Sequence, residues 1–280
     1  MLESATDMPP SKLTPHALGL GLRSQHYREL GEPWPALDYF EIITENFLSA
    51  APAARWHLDR VKERYPVVLH GVGLNILGPT PPDPAYLDRL CWLADYVDAP
   101  FVSDHLCWTG VPPITHHDLL PAPYVPELAG LVAERAAFVQ RQLGRPFGLE
   151  NLSSYVQFER STQTEWDFYS SVVREAGCWF MLDLNNVYVS SENHGFSPVQ
   201  YLDAIDFSRV LQVHIAGHLR QSDGLLVDTH DRPVTEPVWQ LYEEAYQAHG
   251  PFPTLLEWDD HVPPLKGALD ELAKARVRRG

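Results

Sequence analysis

Cysteine is scarce: Cys91, Cys107 and Cys178 are the three in 280 residues, and no two form a C-x-x-C pair. An odd, widely spaced set excludes a disulfide framework and a thiolate zinc site. Cys91 lies on an amphipathic stretch and reads as core, while Cys107 and Cys178 flank strand-like runs and read as core or pocket lining. Basic residues are also few, 21 against 37 acidic ones, for a formal charge of −16. A field of that sign repels a phosphate backbone unless a basic groove outweighs it. Lys62, Arg64, Arg276, Arg278 and Arg279 are scattered along the chain, so no nucleic-acid partner is expected. No apolar run approaches the roughly 20 residues that cross a bilayer. The N-terminus also lacks a basic start followed by an apolar stretch. Neither membrane association nor secretion is expected, and a cytoplasmic protein is.

The hydrophobic content of 45%, with 11% aromatic residues, is ample for a large core. Residues 1–16 are rich in Pro, Ser and Thr and read as a flexible arm. Residues 17–280 repeat one unit without a linker or a shift in composition. Short apolar runs at 18–22, 39–43, 67–70, 101–103, 147–150, 179–184, 210–215 and 254–258 have the length and residue types of buried strands. Helical patterns lie between them at 53–64, 84–97, 126–143, 164–176, 237–249 and 265–278, several opened by Pro. Eight such units predict a single-domain α/β fold, a closed (β/α)8 TIM barrel. The weakest units are the first, whose connection at 23–36 has little helical pattern, and the sixth, where 198–205 is short.

A barrel of this kind places its active site at the C-terminal ends of the strands. The residues found there are Glu41, Glu45 and Asn46, then His70, then Asp104 and His105, then Glu150 and Asn151. Asp183, Asn185 and Asn186 follow, with His194 on the sixth loop. His214 and His218 end the seventh run, Asp228, His230 and Asp231 sit on its long loop, and Glu257, Asp259, Asp260 and His261 end the eighth. The run at 211–218, Leu-Gln-Val-His-Ile-Ala-Gly-His, sharpens the anomaly, because an imidazole in a buried strand needs a hydrogen-bond partner or a metal to offset its desolvation. A single strand-end His is more often structural, and a lone Asp is more often a helix N-cap, a reading open to Asp104, Asp259 and Asp260. His70, His105, Glu150, Asp183, His214 and Glu257 together would need six independent structural explanations. His16, His26, His57 and His249 fall outside the strand ends and read as surface residues. The His116-His117-Asp118 loop reads as pocket wall or solvated turn.

Imidazole and carboxylate without thiolate is the ligand set of zinc, iron or manganese, and the candidates exceed what one ion can use. A multinuclear site follows. A carboxylate such as Glu150, near the middle of the order, can bridge two ions, because closely spaced cations need shared anionic ligands. Asn151, Asn185 and the outer acids suit weak ligation or the orientation of imidazoles.

Eight motifs, in order, carry a resemblance: His70-Gly-Val72, Ser103-Asp-His105, Asp118-Leu-Leu-Pro121, Leu149-Glu-Asn151, Asp183-Leu-Asn-Asn186, His214-Ile-Ala-Gly-His218, Asp228-Thr-His230 and Leu256-Glu257. Over residues 18–272 the chain resembles the multinuclear non-heme iron-dependent oxidative enzymes, the family of the methanobactin-biosynthesis enzyme B. Their fold is a TIM barrel, and they act in the maturation of ribosomally made peptides. The resemblance implies two or three iron ions, mixed Fe2+ and Fe3+, a substrate cysteine bound through sulfur to one iron, and O2 as co-substrate at another. Carried over, one iron takes His70, His105 and Glu150. The second shares Glu150 and adds Asp183, His214 and Glu257. A third, more weakly held, draws on Asn185, Asp228 and His230, with His218 as an extra candidate. Asp259 becomes a proton-transfer group. The resemblance further implies a cysteine-containing precursor peptide as substrate and a separate partner protein that binds its leader. No additional recognition domain is read before Gly280, in keeping with a separate partner.

The ligand types alone also permit a zinc-dependent hydrolase or sugar isomerase on the same barrel, resembling endonuclease IV. A metal-binding scaffold without turnover is the third reading. The acidic charge weighs against a DNA substrate, while spacing alone does not choose the metal.

Overall fold

The computed structural model describes residues 13–49, 51–111 and 114–280, with backbone alone at 115–117. In chain order the strands are β1 (Leu18–Gly21), β2 (Tyr39–Ile43), β3 (Val67–Gly71), β4 (Val102–His105), β5 (Trp108–Val111), β6 (Ile114–Leu120), β7 (Phe147–Glu150), β8 (Trp179–Asp183), β9 (Val210–Ile215), β10 (His218–Arg220), β11 (Leu226–Asp228) and β12 (Thr254–Leu256). The helices are α1 (Glu45–Leu48), α2 (Pro52–Lys62), α3 (Pro84–Tyr96), α4 (Pro126–Leu143), α5 (Glu165–Ala176), α6 (Leu184–His194), α7 (Pro198–Asp203), α8 (Glu236–His249) and α9 (Leu265–Arg278). Eight strands close in the order β1-β12-β9-β8-β7-β4-β3-β2, every pair parallel. The (β/α)8 expectation holds, and the eight expected runs are the eight barrel strands.

The helices form where a cap and an apolar stripe coincide. In α5 the Thr164 side chain accepts from the Asp167 amide, Phe168, Tyr169, Val172, Val173 and Ala176 recur at helical spacing on the buried face, and Gly177 ends the helix at φ 64°. A cap of this kind contributes about 1 kcal/mol. Both weak units are visible: residues 23–36 hold only a turn of 3-10 helix at Ser24–His26, and α7 is six residues long.

Three expectations need correction. The sixth loop is instead α6, because the Asp183 side chain caps residues 184–194 at once, so His194 lies on a helix. Residues 116–118 lie in strand β6, which pairs with β5 as a hairpin; His116 and His117 have no described side chains. His26 is buried rather than exposed, and its Nε2 lies 2.9 Å from the Pro263 carbonyl.

The expected arm lies largely outside the described residues. Residues 13–16 run across the N-terminal end of the barrel: Leu13 packs with Ala17, Tyr39, Val68, Phe101, Leu211 and Leu255, and His16 Nδ1 lies 2.7 Å from the Tyr246 hydroxyl. Among the described residues no helix is long and apolar enough to cross a membrane.

One outer-layer acid is a titration marker for the fold. Tyr201 donates to Glu165 Oε1 at 2.9 Å, and burial pushes this carboxyl from 4.5 up to about 7, against the pull of the Tyr201 and Tyr124 hydroxyls. A native state that holds the proton more tightly than the unfolded chain loses that stabilisation as pH rises from about 4.5 through 7. Glu165→Gln removes the term. In calorimetry at pH 8 the variant is expected to melt roughly 3 °C or more above the wild type, with the gap shrinking toward pH 5; a gap independent of pH would contradict this.

Candidate metal centre

Side chains alternate between the inside and outside of a barrel strand. At the C-terminal ends of β3, β4, β7, β8 and β9 the inward residues are His70, His105, Glu150, Asp183 and His214, Glu257 follows β12 directly, and Glu41 faces His214 from the middle of β2. All seven are buried. So many ionisable groups in a closed barrel carry a large desolvation cost unless charge of the opposite sign sits among them.

His70 Nε2 and His105 Nε2 lie 2.9 and 3.0 Å from one oxygen, Glu150 Oε2. Yet His70 Nε2 and Glu150 Oε2 are buried without a hydrogen bond of acceptable angle. The atoms therefore point at a common space rather than at each other. Ligand atoms about 2.1 Å from a cation and at right angles stand about 3.0 Å apart, which fits this spacing. Both rings are held from behind, with His70 Nδ1 2.8 Å from the Ser103 hydroxyl and His105 Nδ1 2.9 Å from the Gly71 carbonyl. A carbonyl only accepts, so the His105 proton sits on Nδ1 and its Nε2 lone pair faces Glu150.

A second group joins Glu150 to Asp183, His214 and Glu257, one ligand atom from each lying within 4.8 Å of the others. His214 Nδ1 is 3.0 Å from Glu257 Oε2 and 3.8 Å from Glu150 Oε1. The two oxygens of Asp183 divide the work: Oδ1 accepts from the Asn186 amide at 2.6 Å and caps α6, while Oδ2 is buried and unpartnered. One oxygen of this carboxylate thus caps the helix and leaves the other turned to the group.

A third group is His230, Glu257 and Asp259. His230 Nδ1 lies 3.2 Å from Glu257 Oε2 and 3.3 Å from Asp259 Oδ2, and its Nε2 lies 2.7 Å from Asp228 Oδ1. The long loop reaches this position because β10 and β11 pair as a hairpin, His218 opposite Asp228, and because the chain at Arg232 and Pro233 lies directly on Gly217, where a Cβ would collide with both carbonyl oxygens. His230 itself is held at φ 44°, a conformation costly for a residue with a side chain.

The residues expected from sequence thus divide. His70, His105, Glu150, Asp183, His214, Glu257, His230 and Asp259 converge. Asp228 adjoins through His230. Asn185 stands one step out: its amide donates to Asp228 Oδ1 at 2.7 Å and its carbonyl faces His218 Nδ1 at 2.8 Å. His194 pairs with Ser154, and His261 is exposed. Asp104 is no helix cap; it accepts from the Leu74 and His105 amides. Sequence reading passed over Glu41 as a group on His214, and it missed Arg23 and Gln212 entirely. Arg23 donates to Asp259 Oδ1 at 2.7 Å and to the Trp258 carbonyl at 3.0 Å, with Glu257 at 3.7 Å. The available signal was a long polar residue in or just after an apolar run, the same anomaly that exposed His214.

The electrostatics follow from this crowding. Burial disfavours protonated His70, but Glu150 and Glu41 outweigh it and raise its pKa to about 9. His214 and His230 are raised well above 6.5 against the same burial, by Glu41 and Glu257 in one case and by Asp228 and Glu257 in the other. Burial, with Glu150 and Asp228 nearby, pushes Asp183 well up. Above these groups opens a cavity of about 950 Å³, lined by Tyr27, Phe47, Val72, Leu120, Tyr155 and Asp259 among others.

A family model described as the RiPP precursor modification enzyme MbnB/TglH/ChrH matches residues 17–279, RiPP denoting a ribosomally synthesised, post-translationally modified peptide. Relatives named UPF0276 protein include one from Caulobacter vibrioides (strain NA1000 / CB15N), 48% identical over 261 residues and covering 93% of each chain. Another, from Acaryochloris marina, is 42% identical over 257 residues, covering 92% of each. Among solved structures, the 3-keto-D-glucoside 4-epimerase YcjR from E. coli superposes with a TM-score of 0.59 at 16% identity, covering 93% of this chain and 99% of that one. Endonuclease IV from Thermus thermophilus gives 0.57 at 17% identity, covering 94% and 98%. At such identities the structural likeness concerns the fold alone.

Proposed function

The chain belongs to the MbnB/TglH/ChrH family of RiPP precursor modification enzymes, and from that premise we propose that it oxidatively modifies cysteine residues of a precursor peptide, using two or three iron ions and O2. The observation that carries this reading is the convergence of His70 Nε2, His105 Nε2 and Glu150 Oε2 on one space, with His70 Nε2 and Glu150 Oε2 buried and without a hydrogen bond. The donor set, imidazole and carboxylate with no cysteine, suits iron. His70, His105 and Glu150 would hold one ion, and Glu150, Asp183, His214 and Glu257 a second. Asp228 and His230, with Asn185 behind them, offer a third and weaker position. Bound iron supplies Lewis acidity toward a substrate thiol and electrons for dioxygen.

The chain's own residues prepare the rest. The cavity is lined both by apolar and aromatic groups such as Phe47, Val72 and Tyr155 and by His70, His105, Glu150 and Glu257, which suits an extended peptide that lowers one small side chain toward the metal ligands. Asp259, which lines the cavity, is the proton acceptor. Burial and Glu257 push its carboxyl up, but His230 and Arg23 outweigh them, so it is held below the usual range and stays ionised. Its Oδ1 rests on Arg23 and its Oδ2 faces His230 Nδ1, an orientation that keeps the carboxylate at the cavity wall. A separate protein that binds the peptide's leader completes the proposal.

Elemental analysis and Mössbauer spectroscopy of protein purified without oxygen after iron-57 growth test the reading, followed by oxygen uptake with cysteine-containing precursor peptides. Two to three irons per chain, with ferrous and ferric signals, and thiol-dependent uptake are expected. Stoichiometric zinc without iron after metal-replete expression would overturn it and favour hydrolysis or isomerisation.

A further inference from the structure

Three imidazoles face the two groups that share Glu150, and each is held from behind by a different kind of acceptor. His70 has a hydroxyl, His105 a backbone carbonyl, and His214 a carboxylate: His214 Nε2 lies 3.1 Å from Glu41 Oε2. The ring is also turned over. His70 and His105 present Nε2 to Glu150, whereas His214 presents Nδ1 to Glu257 and Glu150. His214 Nε2 has two neighbours, Glu41 Oε2 and, at 2.9 Å, the Gln212 side-chain nitrogen. A neutral imidazole whose Nδ1 lone pair faces a cation carries its proton on Nε2, and of the two only the Glu41 carboxylate can accept it, the Gln212 amide donating to Glu41 instead.

Glu41 is itself built in. It sits in β2, buried, and the same oxygen accepts a short hydrogen bond from the Gln212 amide. The Gln212 carbonyl in turn accepts from the Tyr39 hydroxyl at 2.9 Å. Tyr39, Gln212, Glu41 and His214 form one chain of side chains across the barrel interior, below the ligand groups and apart from the cavity. Gly19 makes room for it: a Cβ there would strike the Tyr39 ring. A buried carboxylate that touches no substrate space is costly to keep in a barrel. It is accounted for if its charge is used through the ring it holds.

We propose that Glu41, locked by Gln212 and Tyr39, is a positioning residue that orients His214 to ligate through Nδ1 and strengthens that one metal position relative to the His70/His105 position. The inference rests on the metal centre proposed above. A carboxylate behind a ligating imidazole raises its basicity more than a hydroxyl or carbonyl does, so the two positions are made unequal by what stands behind their rings.

The test uses Glu41→Gln, which keeps shape and an acceptor oxygen but removes charge, with Glu41→Ala and Glu41→Asp beside it. Metal affinity is read by chelator competition, and the histidine rings by nitrogen-15 NMR of zinc-loaded protein, zinc serving as a diamagnetic probe. Wild type is expected to show His214 bound through Nδ1 with a proton on Nε2. Glu41→Gln is expected to weaken one metal by about 10- to 100-fold while the other stays within about threefold, with Glu41→Asp recovering part of the loss. A purely structural role would instead lower the melting temperature of metal-free protein and weaken every metal alike. If Glu41→Ala does not fold, the isosteric Gln variant still decides. Wild-type affinities in Glu41→Gln, or His214 bound through Nε2, would overturn the role of Glu41 and leave the centre standing. A wild type that takes up no metal would overturn both.

Discussion

Glu150→Ala is expected to leave the protein folded but to lose more than one metal ion per chain, with no measurable peptide oxidation, a loss of about 10³-fold or more. Glu150 is the one residue common to the His70/His105 group and the Asp183/His214/Glu257 group. Its Oε2 stands about equally far from His70 and His105 Nε2, at 2.9 and 3.0 Å, and its Oε1 is 3.8 Å from His214 Nδ1. Removing it leaves the first position with two neutral imidazoles and takes a shared anion from between two cations that repel each other. The fold should survive, because the deleted group is an anion packed beside Asp183 and Glu257, whose mutual repulsion falls when it goes. Metal analysis beside circular dichroism is the check. A variant that loses a single metal, or none, removes Glu150 from its bridging place.

Stripping the metal is expected to lower the melting temperature by roughly 4–5 °C, on the basis that ligand at about a hundred times its Kd contributes about 2.7 kcal/mol to a chain of this length. The size of the effect should depend on pH, with a definite sign. In metal-free protein, protons stand in for cations: His70 rises to about 9 from 6.5 as Glu150 and Glu41 outweigh its burial. A group whose pKa is higher folded than unfolded stabilises fully below 6.5 and loses that contribution as pH rises through about 9. Metal binding displaces the same proton and so strengthens over the same interval. The metal-loaded and stripped melting curves should therefore separate as pH goes from about 6.5 to 9. Stripped protein that gains stability over that range would contradict the account, as would a melting temperature untouched by chelation and readdition.

Much of the centre was legible in one dimension, and its particulars show why. His70, His105, Glu150, Asp183 and His214 each close an apolar run short enough to be a strand, and a barrel of such strands has one place where their ends meet. Glu257 and Asp259 were legible on the same ground. What escaped was whatever depended on direction. In one dimension nothing says that Asp183 also caps a helix, yet a carboxylate has two oxygens, and the fold uses one as the cap and turns the other inward without a hydrogen bond. Asn185, one residue before Asn186, turns toward His218 and Asp228 because α6 begins at once after β8, so consecutive residues leave the strand in different directions. Glu41 was noted only as a residue near a strand end, and its contact with His214 spans a separation of 173 positions.

Composition and periodicity by themselves determined the barrel and which strand ends carry histidines and carboxylates, because burial imposes a local pattern on every strand and helix regardless of its neighbours. Only the tertiary structure decided which ring nitrogen faces the centre, which carboxylate stands behind which imidazole, and where the long loop puts Asp228 and His230. Those are relations between strands that meet across a closed sheet, set by register and barrel curvature, and no local pattern encodes them.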